Sequence, residues 1–219
     1  MINYLISLFQ NPENGFDPVP KAHANRYFEE AYSGQRFNND VISHLENFIS
    51  LKNKKIIDLG GGPGQYTHYF VEQGAEVYYH DISTNYLSLF RQKFPDLNYN
   101  ASIGYIDNFS GKYDIIFNSV CFNYCMNDKQ FVKKIEKSLL PGGLYFGVLG
   151  NENTLKRVKK KRLIVFFQFY LNAYLGIKIG HPFTLKKNIK KLFNNKIFNV
   201  LKIEDIGKNT LVVVKKKVK

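Results

Sequence analysis

Cysteine is nearly absent from this chain: among 219 residues only Cys121 and Cys125 occur. A disulfide framework needs more cysteines and a structural zinc site needs more ligands, so the expectation is a reduced, cytoplasmic protein without a metal site. Arginine is scarce, 5 residues against 26 lysines. No hydrophobic run is long enough to cross a membrane with ease. The most apolar stretch, residues 163–179, is short and is interrupted by Gln168, Asn172 and Lys178. The opening residues carry an apolar patch but neither a basic region before it nor a small-residue cleavage site. They read as a leading helix or arm, not as a signal peptide. No internal repeat and no recognisable RNA-binding module is visible.

Apolar residues make up 44% of the sequence, enough for a sizeable core and too many for wholesale disorder. The length suits a single domain, 1–219, with additions. The net charge of +13 is unevenly placed. Residues 1–150 carry 13 Lys+Arg and 15 Asp+Glu, a net of −2, whereas residues 151–219 carry 18 and 3, a net of +15. An AT-rich coding bias would raise lysine everywhere, but it does not account for this lopsidedness, which points to an anionic partner.

Strand and helix patterns alternate with short connections. Residues 22–36 read as a helix ending near Gly34, and residues 39–51 as an amphipathic helix with Val41, Leu45, Phe48 and Ile49 on one face. The strands expected are 54–59, 75–81, 97–101, 112–120 and 144–150. Between them lie helices over 65–73, 83–94 and 127–140, the second capped by Ser83 and the third closed by Pro141-Gly142-Gly143. Residues 196–206 and 209–217 read as a β-hairpin around Gly207-Lys208. This alternation argues for a doubly wound α/β sheet. Its parts are an N-terminal helical flap (1–51), a cofactor-binding core (52–150), a basic helical insertion or lid (151–194) and a C-terminal hairpin (195–219).

The strongest motif runs from Asp58 to Gly64 and reads D-x-G-x-G-x-G between a strand and a helix. Glycines permit a tight turn and let a ligand approach the backbone. An acidic residue, Asp81, ends the next strand 23 positions after Asp58. A carboxylate there can accept hydrogen bonds from both hydroxyls of an adenosine ribose. The spacing differs from the G-x-G-x-x-G fingerprint of dinucleotide-binding proteins.

DLGGGPG, YYHDIS, IIFNSV and LLPGGLYF resemble, in order, four motifs of the class I S-adenosylmethionine-dependent methyltransferases. The resemblance covers roughly residues 25–150 and the final hairpin. It implies a Rossmann-like, mostly parallel seven-stranded sheet with an antiparallel last strand. It also implies S-adenosylmethionine as cofactor, leaving as S-adenosylhomocysteine. On that resemblance, Asp58, Gly60, Gly62 and Gly64 form the cofactor loop, and Asp81 holds the ribose with Ile82 against the adenine. Ser102 and Ile103 meet the adenine, and Asn118 lies near the amino-acid end. The family often has Asp where Ser102 stands.

The acceptor is less legible. Methyl transfer from a sulfonium is an in-line displacement, so the nucleophile must be positioned and water excluded. After the fourth strand the sequence reads Asn118-Ser119-Val120-Cys121, without the paired prolines that mark amine methylation on nucleic acid. Cys121 follows Val120, outside the setting of a nucleophilic cysteine. His23 and His181 are the candidates for a general base. Arg26, Tyr27, Tyr32 and Arg36 in the flap are candidates to meet substrate. The basic tail favours an anionic small molecule, such as a phosphate-bearing or nucleotide-linked sugar of surface-polysaccharide synthesis. The alternatives are an RNA methyltransferase, a lipid or quinone methyltransferase with peripheral membrane contact, and a non-catalytic cofactor-binding scaffold.

Overall fold

In the computed structural model, the residues described are 17–33, 39–153, 167, 170, 171, 174, 175, 177, 178, 183–194, 196–207 and 209–218. They fall into two compact units, one within Phe9–Phe109 and the other within Ser110–Lys219. The strand order of the seven-stranded sheet is β3-β2-β1-β4-β5-β7-β6.

The first unit holds helices α1 (Lys21–Tyr32) and α2 (Asn39–Glu46). These are followed by β1 (Lys55–Leu59), α3 (Gln65–Glu72), β2 (Glu76–Asp81), α4 (Thr84–Lys93) and β3 (Asn100–Ile103). Helix α2 buries Val41, Ile42 and Leu45, while Phe48 and Ile49 lie beyond its end and are half-buried. Its apolar stripe is therefore shorter than the sequence pattern suggests. β1 pairs in parallel with β2, Leu59 opposite His80, and β2 pairs in parallel with β3, Asp81 opposite Ile103. β3 starts three residues later than expected, because Pro95, Asp96 and the residues after them form the connection before the ladder with Tyr78 begins. Ser83 caps α4 as expected: its side chain accepts the backbone N–H of Tyr86.

The second unit contains β4 (Tyr113–Ser119), α5 (Asp128–Ser138), β5 (Leu139–Gly150), α6 (Lys186–Leu192), β6 (Phe198–Ile206) and β7 (Asn209–Lys216). β4 and β5 run parallel, and β7 lies antiparallel between β5 and β6. The inner position of β7 explains its composition, since Leu211, Val212, Val213 and Val214 are all fully buried.

Pro141-Gly142-Gly143 departs from expectation. Helix α5 already stops at Ser138, and the three residues belong to β5. Tyr113 pairs with Leu139 and Ile115 with Leu144, so residues 140–143 bulge out of the ladder. Gly143 must be glycine there: a Cβ would stand 2.9 Å from the Leu140 carbonyl oxygen and 3.0 Å from that of Asp114.

Candidate cofactor site

The site begins where β1 ends. The N–H groups of Gly60 and Gly61 both donate to the His80 carbonyl, at 2.8 and 3.2 Å, which fastens the glycine turn to the end of β2. Gly60, Gly62 and Gly64 all have positive φ, at 78°, 51° and 81°. The glycines divide by task. A Cβ on Gly61 would lie 2.5 Å from the Tyr79 ring, and one on Gly64 would lie 2.5 Å from the Phe90 ring. These two are small so that the loop can pack on its own core. A Cβ on Gly62 would meet nothing nearer than 3.9 Å, so its open side is available to a ligand.

Asp81 sits at the carboxyl end of β2, only 8% exposed. One carboxylate oxygen accepts the Gly62 N–H at 2.9 Å and the other accepts the Ser83 N–H at 2.8 Å. Burial pushes this carboxyl up to about 6, against the pull of the Ser83 and Gly62 N–H groups. It remains mainly ionised at neutral pH, with lone pairs left for a diol. The half-exposed Gly62 backbone and the anchored carboxylate of Asp81 form a cradle that suits the ribose and methionine portions of S-adenosylmethionine. Ile82 follows directly and is half-buried.

Asp58 lies deeper, at the base of the turn, where it accepts a hydrogen bond from Thr67 Oγ1 at 2.8 Å. Burial raises its carboxyl to about 7, with Thr67 opposing and Asp81 adding to the rise. Its partners are those of a brace under the loop. A carboxyl raised in the folded state binds its proton more tightly there than in the unfolded chain. Its stabilising contribution is thus full below the ordinary carboxylate range and fades as pH rises toward 7. Urea unfolding of Asp58→Asn should therefore gain on wild type between about pH 4 and pH 7 and level off above that. A pH-independent difference would remove Asp58 from this role.

Further contacts position the loop. Tyr79 donates from its hydroxyl to the Gly62 carbonyl at 2.8 Å. Tyr32, from α1, donates to the Pro63 carbonyl at 3.0 Å and packs on Phe28 and Phe94. Tyr32 thus ties the last turn of α1 to the glycine turn. Tyr27 packs on Tyr86 at the start of α4. Tyr32→Phe should leave the fold intact and weaken cofactor binding by about 0.5–1.5 kcal/mol, the net worth of one hydrogen bond. Calorimetric titration checks this, and an unchanged affinity would detach Tyr32 from the site.

The other candidates are placed unevenly. His23 is exposed on α1, its Nδ1 is 3.4 Å from Arg26, and its ring stacks on Tyr27. Arg26 is exposed too and reaches Glu30 on its own helix. Ser102 Oγ is 2.8 Å from His80 Nδ1, and His80 Nε2 is 3.0 Å from the Tyr105 carbonyl. Ser102 is thereby engaged with the β2 end. Ile103 is half-buried opposite Asp81. Asn118 is fully buried near the carboxyl end of β4, followed by Val120 with φ of 70°, an unusual conformation for a β-branched residue. Arg36 and His181 lie outside the described residues.

Two contributors escape the motif reading. Asp17 accepts hydrogen bonds from Ser83 Oγ, Thr84 Oγ1 and the Asn85 N–H, all at 2.8–2.9 Å, and so caps α4 from outside. His80 ties β2 to β3. Neither has a local signature, because the partners are brought together only by the fold. An open cavity of about 370 Å³ lined by Asn53, Glu76, Asn98 and Tyr99 lies at the amino ends of β2 and β3, away from Asp81. Among the described residues no cluster of three His, Cys, Asp or Glu is placed to hold a metal ion.

Residues 57–147 match the family described as a methyltransferase domain. The sheet order is that of the Rossmann-like fold found in S-adenosylmethionine-dependent methyltransferases. A malonyl-[acyl-carrier protein] O-methyltransferase of Calditerrivibrio nitroreducens is 24% identical over 166 residues, 73% of this chain and 63% of that protein. A ribosomal RNA small subunit methyltransferase A of Mesomycoplasma hyopneumoniae is 32% identical over 83 residues, 37% of this chain and 29% of that one. The crystal structure of an S-adenosylmethionine dependent methyltransferase from Mesorhizobium loti superposes with a TM-score of 0.62 at 15% identity, covering 80% of this chain and 96% of the other. The chain spans less than two thirds of the length of the curated relatives it matches.

Proposed function

We propose that this protein is a cytoplasmic methyltransferase that moves the methyl group of S-adenosylmethionine to an oxygen of an anionic small molecule. Its acceptor is a phosphate-bearing or nucleotide-linked sugar-type metabolite, of the kind used to build surface polysaccharide. The cofactor supplies an electrophilic methyl on a sulfonium. The chain's own part is to hold and orient. Asp81 accepts the ribose hydroxyls, the Gly60 and Gly62 backbone takes the methionine side, and α1 shields the loop through Tyr32. An acceptor that is already an oxyanion needs positioning by cations more than a general base. On this reading His23, which meets Arg26 and Tyr27 of its own helix, is not required as a base.

The observation that carries the acceptor reading is the net of +15 over residues 151–219. An O-methyltransferase among the relatives is in keeping with it. The same positive segment, together with the ribosomal RNA methyltransferase relative, supports RNA as the second reading.

The test uses cofactor with a labelled methyl group, purified protein and a cell extract, separated afterwards into small anionic metabolites, RNA, lipid and protein. Label in the small anionic fraction, with acceptor affinity falling as salt is added, is the expected result. Label confined to RNA would replace this reading with the second one, and an absence of product in every fraction would leave a cofactor-binding scaffold.

A further inference from the structure

The insertion between β5 and α6 carries a feature that methyl transfer does not use. Phe167, Tyr170, Leu171 and Tyr174 are helical, and the Leu175 N–H donates to the Leu171 carbonyl at 3.2 Å. Spacings of three and four put Phe167, Tyr170 and Tyr174 on one face. That face is turned outward: Phe167 is 63% exposed, Tyr170 49%, Tyr174 59% and the adjacent Leu175 59%. Tyr170 and Tyr174 lie against each other with ring centroids 5.1 Å apart.

The far end of the segment is anchored. Lys178 is 7% exposed, with its Nζ on Asp128 and 3.0 Å from Cys125 Sγ. Burial disfavours its charge, yet Cys125 and Asp128 outweigh that and hold it above its ordinary value. Nearby, Thr184 donates to Asn123, and Asn123 donates to the Gly150 carbonyl. The outward face is therefore carried on a segment fastened to its own unit, and large apolar side chains grouped this way mark an interaction surface.

We infer that this aromatic face seats the protein on an anionic lipid surface. Three features select a bilayer over other occupants. The side chains are Phe, Tyr and Leu, which suit the boundary between headgroups and acyl chains. In sequence they follow KRVKKKR at residues 156–162, six cations in seven positions. Cations of that density beside an amphipathic segment attract acidic headgroups. The net of +15 over residues 151–219 opposes a second copy of the same face. Among the described residues no helix is long and apolar enough to cross a membrane.

The chain contains no tryptophan, so Tyr174→Trp introduces a single fluorescent reporter into the face. With vesicles of mixed phosphatidylglycerol and phosphatidylcholine its emission should shift to the blue and be quenched by brominated lipid. Pure phosphatidylcholine should give neither effect. In sedimentation, Phe167→Ser/Tyr170→Ser/Tyr174→Ser should partition onto the acidic vesicles roughly ten-fold less than wild type, as loss of three interfacial side chains implies. Retained cofactor binding would certify its fold. No binding to acidic vesicles would overturn the inference. So would binding with an unshifted reporter, which would mean lysines alone make the contact. A blue shift that needs only higher protein concentration would assign the face to a second copy instead.

Discussion

Asp81→Ala should reduce the affinity for S-adenosylmethionine by roughly 1.5–3 kcal/mol, the scale of hydrogen bonds to a charged group. That corresponds to a dissociation constant roughly 10- to 150-fold weaker. Two effects combine. The ribose loses its acceptor, and the N–H groups of Gly62 and Ser83 lose theirs. The second effect acts on the loop before any ligand arrives, so Asp81→Asn separates the two. The amide oxygen can still receive one N–H but cannot accept at both positions, and its affinity should fall between wild type and the alanine variant. Calorimetry on the three proteins decides the matter. Equal affinities would exclude Asp81 from the cofactor site.

The largest effect on stability should come from Gly64→Ala. The backbone there has φ of 81°, and the new methyl group would begin 2.5 Å from the Phe90 ring. The left-handed conformation costs an L-residue roughly 1–2 kcal/mol. Forcing a methyl against a packed ring adds about 1–3 kcal/mol. Together these are a large share of the 5–15 kcal/mol or so that a domain has. Phe90 is fully buried among Tyr79, Phe94 and Tyr99 and has little room to yield. The urea midpoint of Gly64→Ala should drop sharply. Gly62→Ala, with positive φ but open space, should lose only the conformational part and should show its deficit in cofactor binding. If the two variants unfold at the same urea concentration, the proposed division of labour among the glycines is wrong.

Much of this architecture was readable because it is written locally. DLGGGPG announces a strand, a turn and a helix within ten residues, and Ser83 sits where a cap must sit. The final hairpin follows from apolar runs on either side of Gly207. What stayed hidden depends on distant partners. Asp17 meets Ser83, Thr84 and Asn85 across more than sixty intervening positions. His80 and Ser102 meet because β2 and β3 are in register. Lys178 reads as an interruption of an apolar run, yet it is the buried partner of Asp128. Pro141-Gly142-Gly143 has the composition of a helix stop, and only the ladder with β4 turns it into a bulge within a strand.

The placement of β7 between β5 and β6 has a consequence for biosynthesis. β6 leaves the ribosome first, yet in the finished sheet it touches β5 only through the strand made after it. Until β7 emerges, the second unit carries an open edge on β5, flanked by the fully buried Leu144, Tyr145 and Phe146. An unpaired edge of that kind is a template for wrong pairing. Nascent chains stalled before Asn209 should therefore engage chaperones, and release should coincide with the addition of the final strand.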